Sequence, residues 1–167
     1  MHIPFASMPD DSRLWIYQSE RKFTPQEISI ISDALLSFTE QWSAHGDPLM
    51  TSFDIRLDQF IVLAANEKHV PASGCSIDGA VRTIKGLGER LDINFFDRTA
   101  IAFYRDNAVT IIPMAALRKH FSDGMLNRDS DFINLLVNTK GDLEHEFVQP
   151  VSQTWLRRYL PAENVTD

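Results

Sequence analysis

Phe23-Thr24-Pro25-Gln26-Glu27-Ile28 is the stretch on which the fold reading turns. Thr24 and Glu27 are three residues apart. At that spacing a threonine oxygen accepts the glutamate's N–H while the glutamate carboxylate reaches back to the threonine's N–H. Pro25 falls at the first helical position, where its fixed φ suits the helix and its missing N–H has no partner to lose. Phe23 and Ile28 flank the box as a hydrophobic staple. Ile28, Ile31, Leu35, Phe38 and Trp42 then recur on one helical face, and His45-Gly46-Asp47-Pro48 reads as the stop.

Working outward, Arg13 to Gln18 is rich in aromatic and β-branched residues and reads as a strand. Thr51 to Leu57 alternates apolar with polar, and Phe60 to Ala65 is almost continuously apolar, a hairpin of one half-exposed and one buried strand. A second helix starts near Cys75, with Ile77, Val81, Ile84, Leu87 and Leu91 as its apolar face and Gly86 and Gly88 weakening its end. Thr99 to Tyr104 and Ala108 to Ile112 are strands joined through Asp106-Asn107. The expected class is α+β: a β-α-β-β-α-β ferredoxin-like sheet with two long helices on one face, plus a C-terminal hairpin and helix appendix. In the appendix, Pro113 to Phe121 is a short helix, and Phe132 to Val137 fits either strand or helix. Asp142 to Phe147 and Ser152 to Leu160 read as helical, with Pro150 between them. Residues 1–12 are expected to be a flexible tail, 13–160 a single domain with a weak sub-boundary near Asp97-Arg98, and 161–167 a second tail.

The chain has 167 residues and is 44% apolar and 23% charged, as globular chains are. A domain of that size buries enough surface to need no metal or disulfide. A net charge of −7 with no Lys/Arg run argues against nucleic acid and against an anionic membrane surface. Arg157-Arg158 reads as a pair of solvated helix-end cations. No apolar stretch is long enough to span a bilayer, Met1 to Asp11 has no signal-peptide pattern, and Cys75 is the single cysteine. These features predict a cytoplasmic protein.

Trp42-Ser-Ala-His-Gly-Asp-Pro-Leu49, Ala72-Ser-Gly-Cys-Ser-Ile-Asp-Gly-Ala-Val-Arg-Thr-Ile-Lys85, Phe95-Phe-Asp-Arg98 and Leu136-Val-Asn-Thr-Lys140 resemble a family of small uncharacterised bacterial proteins. The resemblance runs from about Ser12 to Leu160, and members often carry the label "ABC transporter ATPase". Gly74 and Gly79 have the glycine spacing of a P-loop, but Ala80-Val81 stands where Lys-Ser/Thr is required. The lysine for the phosphates and the hydroxyl for Mg²⁺ are both missing, so the ATPase reading is rejected. Tyr104 to Leu160 resembles GYF-like adaptor modules in its order of hairpin, short helix, turn and apolar segment. It lacks the Gly-Tyr-Phe motif, so proline-rich peptide binding does not carry over.

Chemically, Cys75 stands out. At a helix start, unpaired N–H groups and the helix dipole favour an anion and therefore a reactive thiolate. Ser73, Gly74, Cys75 and Ser76 are the expected ligand-binding residues, and His45 or His69 would serve as base to Cys75 if the fold brought one close. The bland alternative is a buried cysteine acting as a small hydrophobe, with Ser73 or Ser76 as an ordinary cap. No paired Cys/His spacing marks a metal site, and Asp123, Asp129 and Asp131 do not follow the calcium-loop pattern. Trp15, Trp42 and Trp155 read as core or cap residues. The expected function is a non-catalytic binding or regulatory protein, without cofactor or metal, for a small anionic ligand or a protein partner. The alternatives are a small thiol enzyme using Cys75 and an assembly module acting through the C-terminal segment.

Overall fold

The structure, a computed structural model, describes residues 1–162, which divide into two compact units. The first comprises Met1–Asp97 and Leu135–Glu144; the second comprises Arg98–Asn134 and the chain from His145 onward. In chain order the elements are β1 (Arg13–Gln18), α1 (Pro25–Gln41), β2 (Ser43–Ala44), β3 (Asp47–Pro48), β4 (Met50–Arg56), β5 (Phe60–Asn66), α2 (Gly74–Leu91), β6 (Ala100–Arg105), β7 (Ala108–Pro113), α3 (Leu117–Ser122), β8 (Asp131–Ile133), α4 (Lys140–Glu146) and β9 (Val148–Pro150). Short 3-10 turns lie at Phe5–Ser7, Met114–Ala116, Val151–Gln153 and Trp155–Tyr159. The class is α+β, with antiparallel sheets.

In the first unit the capping box closes both ways. Thr24 Oγ1 accepts the Glu27 N–H at 3.2 Å, and Glu27 Oε1 accepts the Thr24 N–H at 2.9 Å. Helix α1 ends at Gln41, before the expected stop. His45-Gly46 instead turns the small β2–β3 hairpin, with φ of 53° and 82°. Two successive left-handed residues make the two-residue loop whose twist suits a hairpin, so the Gly-Pro signal belonged to a turn rather than to a helix end.

Strand β5 lies between β1 and β4, antiparallel to both. Ile61, Leu63 and Ala65 share one core with Ile31 and Leu35 of α1 and Ala80, Ile84 and Leu87 of α2, so both long helices serve one face of this sheet. The apolar stripe of α2 is rotated from the expected one. Its buried residues are Ser76, Ala80, Ile84, Leu87 and Gly88, while Ile77 and Val81 are only half-buried. Small residues sit where backbones approach. A Cβ on Gly88 would lie 2.5 Å from the Ile93 carbonyl oxygen, so Gly88 is a close-packing position rather than a weak point.

The ferredoxin-like sheet does not close. Strand β6, expected beside β1, pairs with β7 and β8 in a second sheet of order β7-β6-β8-β9. Asp106 and Asn107, both at positive φ, form a two-residue loop that joins β6 to β7. A local hairpin closes at far lower entropic cost than a return across the chain. The outer edge of β1 instead receives the 135–144 segment, through an Arg13–Thr139 bridge and a Leu14 N–H bond to the Asn138 carbonyl.

Residues 1–12, expected as a loose tail, are tied down. The Met1 ammonium donates to the Leu49 carbonyl at 2.6 Å, Ile3 N–H donates to Thr51, and Met8 and Ser12 are buried. An exposed edge of β4 and an apolar Phe5–Met8 segment outweighed the prolines and acids that read as disorder. The expected C-terminal tail lies, from 163 on, outside the described residues.

The second unit has its own core. Ile101, Phe103, Ile112, Leu117, Phe121, Leu126, Phe132, Val151 and Leu156 are buried together. The ambiguous Phe132 to Val137 run resolves as strand only through Ile133, after which the chain returns to the first unit. The expected terminal helix is a pair of 3-10 turns.

Candidate functional site

Ser73 is the N-cap of α2: its side chain accepts the Ser76 N–H at 3.1 Å, and Ser76 Oγ donates back to the Ser73 carbonyl at 2.8 Å. This reciprocal pair is fully used in capping. Gly74 and Cys75 are the first two residues of the helix, and Cys75 is exposed. Cys75 is therefore not the buried hydrophobe of the bland alternative. The P-loop-like spacing from Gly74 to Gly79 lies wholly within α2, so no loop separates the glycines to wrap a phosphate.

Cys75 and Ser76 open on a shallow depression of about 450 Å³ with Gln41, Trp42, Ser43 and Arg82 on its walls. Trp42 is fixed there by donating its indole N–H to the Ser76 carbonyl at 2.9 Å. Neither His45 nor His69 lines the depression. His45 sits in the β2–β3 turn, and His69 sits in the loop before α2. The thiol thus shares its depression with a cation, Arg82, rather than with an imidazole. Arg82 lies seven residues beyond Cys75, two helical turns along the same face. That spacing is legible in the sequence.

A second site lies in the second unit. The β6–β7 hairpin and the stretch from His120 to Asp131 enclose about 540 Å³. Phe103, Ile112, Met125 and Leu126 supply apolar wall; Arg105, His120, Asp106, Asp129 and Asp131 supply the charged part, with Arg105 3.7 Å from Asp106. Gly124, at φ 76°, turns the chain so that Met125 lies exposed on the rim. Asn127 orders the acidic loop: its Oδ1 accepts the Asp129 N–H at 2.8 Å, and its N–H donates to Ser130 Oγ at 2.9 Å. The volume falls in the ordinary range for ligand sites, and mixed apolar and convergent polar walls are their usual make-up. In the sequence, two of these residues, Asp129 and Asp131, enter only as part of a failed calcium loop. The lining becomes visible when β8 pairs beside β6, a non-local contact that no periodicity reports.

A strongly shifted acid lies elsewhere. Arg21 forks onto both oxygens of Glu27 at 2.7 Å, and this bond, with the cap, holds the Glu27 carboxyl down at about 2. Arg21 also donates to the Leu91 carbonyl at the end of α2. The cluster joins the start of one long helix to the end of the other and is structural. Among the described residues, no group of three or more His, Cys, Asp and Glu side chains is placed to hold a metal ion, and no helix is long and apolar enough to cross a membrane. Comparison with protein-family models, with curated proteins and with solved structures gives no match.

Proposed function

We propose that this chain is a non-catalytic binding protein of the cytoplasm whose recognition site is the cavity of the second unit. The observation that carries the reading is the lining of that cavity: apolar walls, a methionine on the rim, and three carboxylates together with Arg105 and His120. Such a lining fits an apolar segment that carries a positive charge, not the small anion expected from the α2 terminus. On this reading the chain is a protein-assembly module that acts through its C-terminal segment. Labelled hexapeptides of alternating Leu and Arg should bind saturably. Asp129→Asn with Asp131→Asn should weaken them at least tenfold, about 1.4 kcal/mol. Equal binding by that variant, or no binding at all, would contradict the proposal.

One observation favours a second reading, a thiol enzyme. Cys75 is exposed and shares its depression with the cation of Arg82. Iodoacetamide should label native Cys75 without unfolding. The binding reading predicts a rate within about threefold of a free model thiol, because exposure alone governs access. A rate tenfold higher that falls on Arg82→Gln would favour the enzyme.

A further inference from the structure

The chain's net charge is unevenly shared. Counting residues by unit places the whole −7 in the first and leaves the second neutral, with seven Lys and Arg against seven Asp and Glu. Within that second unit the cations are not scattered. Arg118 and Lys119 lie on α3, Arg157 and Arg158 lie on the last 3-10 turn, and these two elements pack together. All four side chains are exposed, and none makes an ion pair among the described residues.

Two of them are held in place by aromatic rings. The Arg118 guanidinium sits 5.6 Å from the Tyr159 ring centre, and the Arg158 guanidinium 5.5 Å from that of Trp155. The two rings are 6.2 Å apart, edge to face. Each is anchored inward, Tyr159 stacked on Phe121 and Trp155 edge-on to Phe132. The result is a row in the order Arg118, Tyr159, Trp155, Arg158, rooted in the core. A guanidinium resting on a ring has lost less freedom still to be lost on binding, and its planar fork matches a carboxylate bidentately. Because the rings already carry cations, they do not offer open faces on which bases would stack, as single-strand binders require.

We propose that this row docks an extended acidic segment of a partner protein, with carboxylates gripped by Arg118 and Arg158 and Lys119 and Arg157 supporting them at the sides. The three steps along the row span at most about 17 Å, about five residues of extended chain at about 3.3 Å each. The surface is separate from the acid-lined cavity and takes the opposite charge.

The test uses the full chain and fluorescein-labelled octaglutamate, with octaglutamine and a fifteen-residue oligothymidylate as controls. Octaglutamate should bind at low salt and octaglutamine should not. Arg118→Ala with Arg158→Ala should weaken binding at least tenfold. Arg118→Lys with Arg158→Lys, which keeps the charge and removes the planar fork, should weaken it about threefold. Asp129→Asn with Asp131→Asn should leave it unchanged, which separates this surface from the cavity. Failure of octaglutamate to bind, full retention in the alanine pair, or tighter binding of the oligothymidylate would overturn the proposal.

Discussion

The two units are built on different terms. In the first, long helices are capped and clamped, and the bonds at their ends are saturated: Thr24 with Glu27, Ser73 with Ser76, Arg21 across to Leu91. In the second, elements are short, several are 3-10, and four cations cluster on two packed elements, two of them over aromatic rings. Clustered charge beside aromatic surface is what recognition uses. The comparison assigns scaffold work to the first unit and recognition to the second.

The largest expected effect checks that the second unit has a core of its own. Leu156 is fully buried there, so Leu156→Ala should cost about 3 kcal/mol in urea unfolding, comparable with Leu35→Ala in the first unit. A cost below about 1 kcal/mol would mean that the second core is a surface patch. Next come two glycines of one helix. Gly88→Ala drives a Cβ toward the Ile93 carbonyl and should cost about 2 kcal/mol after the helix-propensity gain. Gly86→Ala meets nothing within 4 Å and should stabilise by up to about 1 kcal/mol. If both changed stability alike, the close approach at Gly88 would be wrong. Removal of the cap by Thr24→Ala should cost about 1 kcal/mol.

The smallest effect is the most specific. The Glu27 carboxyl titrates near 2 when folded and near 4.5 when free. A depressed folded value means that its contribution is fully present above about pH 4.5 and is lost as pH falls toward about 2. The Arg21–Glu27 pair lies at the surface, with Arg21 the more exposed partner, so the contribution is below about 1 kcal/mol. Unfolding of Glu27→Gln at pH 6 and pH 3 should show a smaller acid loss than the parent chain.

What was legible in the sequence was what local rules govern. The capping box, the positions of β1, β4, β5, β6 and β7, the β4–β5 hairpin and the start of α2 follow from residues within a few positions of one another. The register of α2 was misjudged because its contacts are made by Ser76, Ala80 and Gly88, which carry little apolar signal. The destination of β6 was misjudged because the order of elements does not say which sheet a strand will join. The candidate site suffered most. The thiol is at its helix start as expected, but neither histidine lines its depression, and the cavity of the second unit depends on strand pairings between residues about thirty apart.

The central claim is that recognition belongs to the second unit. It is tested most directly by amide NMR of the full ¹⁵N-labelled chain titrated with the Leu-Arg hexapeptide. The account predicts that shifted amides concentrate between Phe103 and Asp131, with those of α1 and of residues 73–83 unmoved. Shifts centred on Cys75 and Arg82, with residues 103–131 silent, would contradict it.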